Sequence, residues 1–70
     1  MTNEEFYRIR DFLKGKYGID MGNKKTIMEG RLENYLRQNG FKSYWQFMDL
    51  MEQDISGKLE KKLVDLLTTN

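Results

Sequence analysis

The sequence has 70 residues, a net charge of +1, 33% charged residues, and neither cysteine nor histidine. These absences exclude a disulfide framework, a thiolate nucleophile and a zinc site with cysteine ligands, and they remove the commonest general base. A chain this short forms one domain with a small core, so we do not expect it to be a complete enzyme.

The amino-terminal third predicts an amphipathic helix. Thr2 followed by Glu5 has the spacing of a capping box, and Gly18 is placed to end the helix in a left-handed conformation. In the connector that follows, residues 19–22, we expect Ile19 and Met21 to point inward. The predicted apolar stripe of this helix consists of Phe6, Ile9, Phe12, Leu13 and Tyr17.

The beginning of the chain also bears on its location. The first ten residues are largely polar, include the acidic pair Glu4 and Glu5, and do not resemble a signal peptide. No apolar run in the sequence exceeds three residues, which is far too short to span a membrane. We therefore expect a cytoplasmic chain with no membrane insertion.

A second helix is predicted from about residue 23 to residue 39. Asn23 is the candidate N-cap, and Gly40 should end the helix, with Phe41 folding back onto it. The predicted buried face of this helix consists of Ile27, Met28, Leu32, Tyr35 and Leu36.

Two shorter helices complete the chain. Ser43 and Gln46 have capping-box spacing at the start of the third helix, which should end near residues 53–54, and the fourth should begin near residues 56–57. Residues 68–70 are predicted to be unwound, because threonine and asparagine favour caps and turns. The apolar positions are Tyr44, Phe47, Met48 and Met51 in the third helix, and Leu59, Leu63, Leu66 and Leu67 with Val64 on the flank in the fourth. The predicted fold is all-α, a compact bundle of four short helices.

Positive charge is concentrated in the middle of the chain. Residues 23–42 carry a net charge of +3, whereas residues 1–22 are neutral and residues 43–70 carry −2. The sign favours an anionic partner for the middle third. The excess is well below that of a dedicated DNA-binding domain.

The second helix holds the candidate binding residues. Lys24 and Arg31 lie on one line, seven residues apart, and have no acidic residue three or four positions away within the helix. Lys24 and Lys25 fall in its first turn, where the helix dipole disfavours cations. Arg37 follows Glu33 by four residues, the favourable order for a surface ion pair. This placement suggests a binding surface, and the alternative is an ordinary solvated helix face.

Other candidates carry less chemistry. Trp45 lies off the apolar side of the third helix, so it either contacts a neighbouring domain or covers the edge of the core. The methionines have core spacing. There is no persuasive pair of catalytic carboxylates, no glycine-rich phosphate loop and no metal-binding constellation.

Several segments recur in the order found in a known family. They are 17–21 (YGIDM), 24–25 (KK), 31–32 (RL), 36–37 (LR), 40–44 (GFKSY), 50–51 (LM) and the end of the chain, 66–70 (LLTTN). In this order they resemble the amino-terminal all-helical domain of the CheR family of chemotaxis receptor methyltransferases. The resemblance covers nearly the whole chain.

The resemblance implies a function. Members of the family use S-adenosylmethionine to methylate glutamate side chains on chemoreceptor helices, and a larger carboxy-terminal α/β methyltransferase domain holds most of the cofactor site. The helical domain would recognise the substrate and cover the cofactor. By position, the receptor-binding residues would be Lys24, Lys25, Arg31 and Arg37. The cofactor contact would be Asn70, with Thr68 and Thr69 in support.

The sequence departs from the family in two ways. Asn34 and Tyr35 stand where members often carry two basic residues, so the basic surface is thinner. The family also continues into its catalytic domain after the TTN segment, so we expect residues 1–70 to be one helical domain of a longer protein. We expect these 70 residues alone not to catalyse methyl transfer.

Two other functions remain open. One is a stand-alone protein-interaction module that uses Trp45 and nearby apolar groups. The other is a small nucleic-acid-binding domain that uses the basic residues of the middle third, including Lys42. The acidic last third argues against the second, and we expect no nucleic acid partner.

Overall fold

A computed structural model describes residues 1–68 of the chain. It contains four α-helices and, within that range, no strand. The predicted all-α bundle of four short helices is confirmed. Thr69 and Asn70, which were predicted to contact the cofactor, lie outside the described residues. The helices are α1 (Asn3–Tyr17), α2 (Lys25–Gln38), α3 (Tyr44–Gln53) and α4 (Lys58–Thr68).

Helix α1 is capped at both ends by nearby residues, as predicted. The Thr2 hydroxyl accepts the Glu5 N–H at 3.1 Å, and the Glu5 carboxylate accepts the Thr2 N–H at 2.7 Å. At the other end Gly18 has φ +68°, and its N–H donates to the Lys14 carbonyl at 3.1 Å. These bonds satisfy groups that a helix end leaves unpaired, so both boundaries follow from local sequence.

The beginning of α2 differs from the prediction. The N-cap is Lys24 and not Asn23, and no side chain caps the helix there. The Lys24 N–H instead donates to the Met21 carbonyl at 2.9 Å. This hydrogen bond places Lys24 in a turn, and the helix begins at the next residue, Lys25. The predicted cap at Asn23 is therefore wrong.

The buried face of α2 is also rotated relative to the prediction. Ile27 was expected in the core but is 49% exposed. Met28, Leu32 and Leu36 are spaced four residues apart and are the buried members. Ile27 lies about 140° around the helix from Leu32 at 100° per residue, so it faces solvent.

The carboxyl end of α2 turns as predicted. Gly40 has φ +75°, and the Phe41 N–H reaches back to the Leu36 carbonyl at 2.9 Å. The Phe41 ring then packs edge-on against Phe47 of α3, with the ring centroids 5.3 Å apart. This contact joins the end of α2 to the core.

The starts of α3 and α4 are capped by short polar side chains. The Ser43 hydroxyl accepts the Gln46 N–H at 3.1 Å, whereas the Gln46 side chain accepts the Lys42 N–H and not that of Ser43. Ahead of α4, the Asp54 carboxylate accepts the Ser56 hydroxyl at 2.6 Å and the Leu59 N–H at 3.1 Å. These hydrogen bonds lower the pKa of Asp54, and the bond from the Ser56 hydroxyl has the largest effect.

Two further predictions are corrected at helix ends. Thr68 was expected to be unwound, but it is the last residue of α4, and its hydroxyl donates to the Val64 carbonyl one turn earlier at 2.7 Å. Tyr17 was expected in the apolar stripe but is 41% exposed. Its hydroxyl donates to the Glu60 carboxylate, which also accepts Lys16 at 2.8 Å.

The core draws on all four helices and the first connector. The four core methionines occur where their spacing predicted. Within residues 1–68 no polar or charged residue is buried. The buried residues are Phe6, Ile9, Leu13, Met21, Met28, Leu32, Leu36, Phe47, Met48, Met51, Leu63 and Leu67.

Helices α2 and α4 run antiparallel along one side of the bundle. The Lys62 ammonium lies 5.5 Å from the centroid of the Tyr35 ring. Further along α4, the carbonyls of Leu66 and Leu67 lie near Arg31, which is one turn earlier in α2. Helix α4 therefore ends beside the first half of α2. No helix within residues 1–68 has the length and apolar character needed to cross a membrane.

Candidate functional site

The four cations predicted to bind the receptor do not share one face of α2. Lys25, Arg31 and Arg37 are six residues apart, which places them about 120° from one another around the helix. Lys24 and Arg31 are seven residues apart and line up within about 20°. We call this pair the basic edge.

Lys24 lies at the amino end of the basic edge. It is exposed, and its side chain forms no ion pair within the described part of the chain. The first turn of α2 contains no acidic residue to balance it or to complement the helix dipole. No acidic side chain in the first turn of α2 therefore offsets the positive charge of Lys24.

Lys25 points toward α1. Its Nζ donates to the Asn3 side chain at 2.9 Å, and it is half-buried. It lines a cavity of about 250 Å³ between α1 and the first connector, beside Tyr7 and Arg10. Arg10 is itself held by Asp11 at 3.0 Å. Lys25 thus joins the starts of two helices and does not extend the basic edge.

Arg31 reaches across to the end of α4. Its Nη1 donates to the carbonyls of Leu66 at 3.4 Å and Leu67 at 3.3 Å. Helix α4 has no basic residue in its own last turn. Arg31 therefore supplies a cation where the helix dipole is negative. This brings together Arg31 and Thr68, two predicted site residues from distant parts of the sequence.

Arg37 is paired as the sequence predicted. Its Nη2 lies 3.2 Å from the Glu33 carboxylate, and both side chains are more than half exposed. Such an exposed pair contributes a few tenths of a kcal/mol. Part of the positive charge of Arg37 is thereby offset, on the flank of α2 away from Arg31.

That flank carries mixed charge. The amino-terminal ammonium of Met1 donates to Glu29 at 2.5 Å, and this hydrogen bond lowers the pKa of Glu29 below its ordinary value of 4.5. Burial, with nearby carboxylates, raises the pKa of Tyr44 to about 12. A surface with both signs of charge is less suited to an acidic partner than the basic edge.

Trp45 covers the junction between α1 and α3. The Arg8 guanidinium lies 5.0 Å from the centroid of its ring and also pairs with Asp49 at 3.2 Å and Glu52 at 3.0 Å. Trp45 remains 40% exposed. The sequence did not reveal this network, because Arg8 of α1 is more than 30 residues away from its three partners in α3.

One contact missed from the sequence concerns the predicted site directly. Arg31 was predicted only as a binding residue, and its bonds to α4 were not foreseen. The sequence offered one signal for this contact, namely that the last turn of α4 contains no basic residue of its own to bind the final carbonyls. This signal could not have shown which cation would reach the end of α4.

Comparison with known proteins adds independent evidence. The family model described as "CheR methyltransferase, all-alpha domain" matches residues 4–68. The chain is 33% identical over 69 residues to Chemotaxis protein methyltransferase Cher2 of Pseudomonas putida, an alignment that covers 97% of this chain and 25% of the relative. It is 27% identical over 71 residues to a chemotaxis protein methyltransferase of Borreliella burgdorferi, an alignment that covers 100% and 25% respectively.

No solved structure matches the chain significantly. The chain spans about a quarter of the length of the curated relatives it matches. The family match, by contrast, extends through all four helices. The chain therefore belongs to the family of CheR methyltransferase all-alpha domains.

Proposed function

We propose that residues 1–70 form the substrate-recognition and cofactor-covering domain of a longer methyltransferase. This protein would transfer methyl groups from S-adenosylmethionine to glutamates of chemoreceptor helices in the cytoplasm. The family match over residues 4–68 and the relatives named as chemotaxis methyltransferases support this proposal. The reaction itself would belong to a following α/β domain, against which the helical domain would pack.

One observation carries the proposal, namely that the basic edge and the end of α4 lie on the same side of the bundle. Arg31 contacts the last turn of α4, and Lys24 lies two turns further along the same line of α2. Two helical turns span about 10 Å. An acidic helix attracted to the basic edge would therefore lie close to Thr68, the first residue of the segment assigned to the cofactor.

The contribution of these residues to catalysis would be positional. A glutamate carboxylate is a weak nucleophile, and holding it in line with the group that it attacks can contribute several kcal/mol. S-adenosylmethionine, when bound, supplies an electrophilic methyl group on a sulfonium. Asn70, with Thr68 and Thr69, would contact the cofactor. The Thr68 hydroxyl already donates to Val64, so toward a ligand it would act as an acceptor.

The basic residues contribute unequally under this proposal. Lys24 is the strongest docking candidate, because it is exposed and forms no ion pair within residues 1–68. Lys25 and Arg37 would add long-range attraction, because Asn3 and Glu33 already engage their charged groups. Asn34 and Tyr35 leave the middle of α2 without further positive charge.

The binding part of this proposal is tested with the 70-residue chain and a fluorescent peptide from a receptor methylation helix. We expect Lys24→Glu to weaken binding about tenfold at low salt, because it reverses a charge at the basic edge. Lys61→Glu is the matched control, since it makes the same charge change on exposed α4 surface. Fluorescence anisotropy at rising salt measures both the affinity and its screening.

Two results would contradict this assignment. Equal weakening by Lys24→Glu and Lys61→Glu would mean that net charge alone controls binding. An affinity that does not change between low salt and about 0.5 M salt would remove the electrostatic basis, because charges on exposed surface are largely screened at that concentration.

A stand-alone interaction module is the second candidate function. Leu50 is 42% exposed and Ile55, in the turn before α4, is fully exposed. Sedimentation equilibrium distinguishes this candidate from the first. A mass that rises with concentration, and that Ile55→Ser returns to 8.4 kDa, would favour the module.

A further inference from the structure

Within residues 1–68, the last turn of α4 receives hydrogen bonds from a side chain of another helix. The final carbonyls of a helix have no partner within it. Helix α4 offers no basic residue there, and its Thr68 hydroxyl is used one turn earlier, on Val64. The Leu66 and Leu67 carbonyls receive the Arg31 guanidinium instead.

The chemistry of arginine suits this contact. Its planar guanidinium presents several N–H donors in a fixed geometry, whereas a lysine ammonium is a compact point charge on a flexible stem. Leu67 is buried, so the carbonyls that Arg31 binds belong to a turn already anchored in the core. Arg31 thus contacts α4 at Leu66 and Leu67, immediately before Thr68, the last residue of the helix.

We propose that Arg31 is a positioning residue that holds the last turn of α4, and with it Thr68, the first residue of the segment assigned to the cofactor, and does not serve mainly to dock the acidic partner. The cofactor role of that segment rests on the proposed function, whereas the hold on α4 does not. Lys24 and Arg31 were both predicted to bind the receptor, but under this proposal they have different roles. Lys24 and Arg31 share one line of α2, but only Arg31 is bonded to α4 among the contacts within residues 1–68.

Amide hydrogen exchange of the 70-residue chain, followed by NMR, tests the hold on α4. We expect Arg31→Gln to speed exchange of the Leu67 and Thr68 amides about two- to fivefold, the range expected for losing a cation at a helix C-terminus. Arg31→Lys should restore part of the protection, because it keeps the charge. Lys24→Gln is the matched control and should leave these amides unchanged.

Binding of the same fluorescent receptor peptide gives the second readout. We expect Lys24→Gln to weaken binding and Arg31→Gln to leave it within about twofold of the unmodified chain. If Arg31→Gln weakens binding as much as Lys24→Gln and leaves exchange at the end of α4 unchanged, the proposal is overturned. Unchanged exchange alone also overturns the hold on α4.

Methyl-transfer kinetics of the longer protein test the cofactor role. We expect Arg31→Gln to raise KM for S-adenosylmethionine several-fold with KM for the receptor peptide unchanged, and Lys24→Gln to do the reverse. A rise confined to the receptor KM in Arg31→Gln would contradict the proposal. If the longer protein transfers no methyl group, the proposed function fails, and the exchange experiment still decides whether Arg31 holds α4.

Discussion

Helices α1 and α2 have similar lengths but are stabilised in different ways. Helix α1 has the capping box of Thr2 and Glu5 at one end and the left-handed Gly18 at the other. Helix α2 begins at Lys25, its N-cap Lys24 makes no side-chain capping bond, and its first turn contains no acidic residue. It nevertheless buries three residues, the same number as α1.

The comparison shows two sources of helix stability. Capping bonds and favourably placed charges each add up to about 1 kcal/mol and act within one turn. Burial of an apolar face acts between helices and is larger for each residue. Helix α2 depends mostly on the second source, which leaves its exposed surface available for charges that weaken an isolated helix.

The largest expected effect concerns burial in α2. Leu32→Ala should lower the free energy of unfolding by about 2–5 kcal/mol, because Leu32 is fully buried and the change leaves a cavity. Ile27→Ala, on the same helix, should cost less than about 1 kcal/mol, because Ile27 is half exposed. Urea unfolding followed by circular dichroism measures both. Similar losses would show that Ile27 lies in the core, as the sequence predicted.

A second pair contrasts two glycines. Gly18→Ala should lower the free energy of unfolding by about 1 kcal/mol, because φ at Gly18 is +68°. Gly30→Ala should raise it by about 0.5–1 kcal/mol, because Gly30 lies within α2 and no atom would meet the new methyl group within 4 Å. Thermal unfolding should show melting temperatures moving in opposite directions. A shift in the same direction for both would contradict the assigned end of α1.

The smallest expected effect separates the two helix starts. Thr2→Ala should cost about 1 kcal/mol, because it removes the hydroxyl that accepts the Glu5 N–H. Asn23→Ala should change the free energy of unfolding by less than about 0.3 kcal/mol, because the side-chain cap expected there is absent from α2. A loss at Asn23 equal to that at Thr2 would restore the prediction made from the sequence.

Most features of the fold that depend on neighbouring residues could be predicted. The caps at Thr2 and Ser43 and the turn at Gly40 follow from bonds that span three to five residues. Two predicted positions failed for different reasons. Tyr17 contacts Glu60 of the distant helix α4, whereas a local turn bond from the Lys24 N–H to the Met21 carbonyl precedes α2, which begins at Lys25.

The candidate site shows the same division. Its charged residues and the Glu33–Arg37 pair could be predicted, because both depend on spacing within one helix. The difference in contacts between Lys24 and Arg31 could not be predicted, because it depends on where α4 ends relative to α2. The family role of Thr69 and Asn70 remains a prediction, since those residues lie outside the described part of the chain.

The sequence by itself determined the number of helices, most of their ends, the position of the positive charge and the resemblance to a family. These properties depend on backbone and side-chain contacts within about one turn, or on the order of residues alone. Only the tertiary structure decided that Ile27 faces solvent and that Arg31 binds the Leu66 and Leu67 carbonyls. The rotation of a helix about its axis, and the carbonyls that a long side chain can reach, depend on how four apolar faces pack together, which local sequence does not specify.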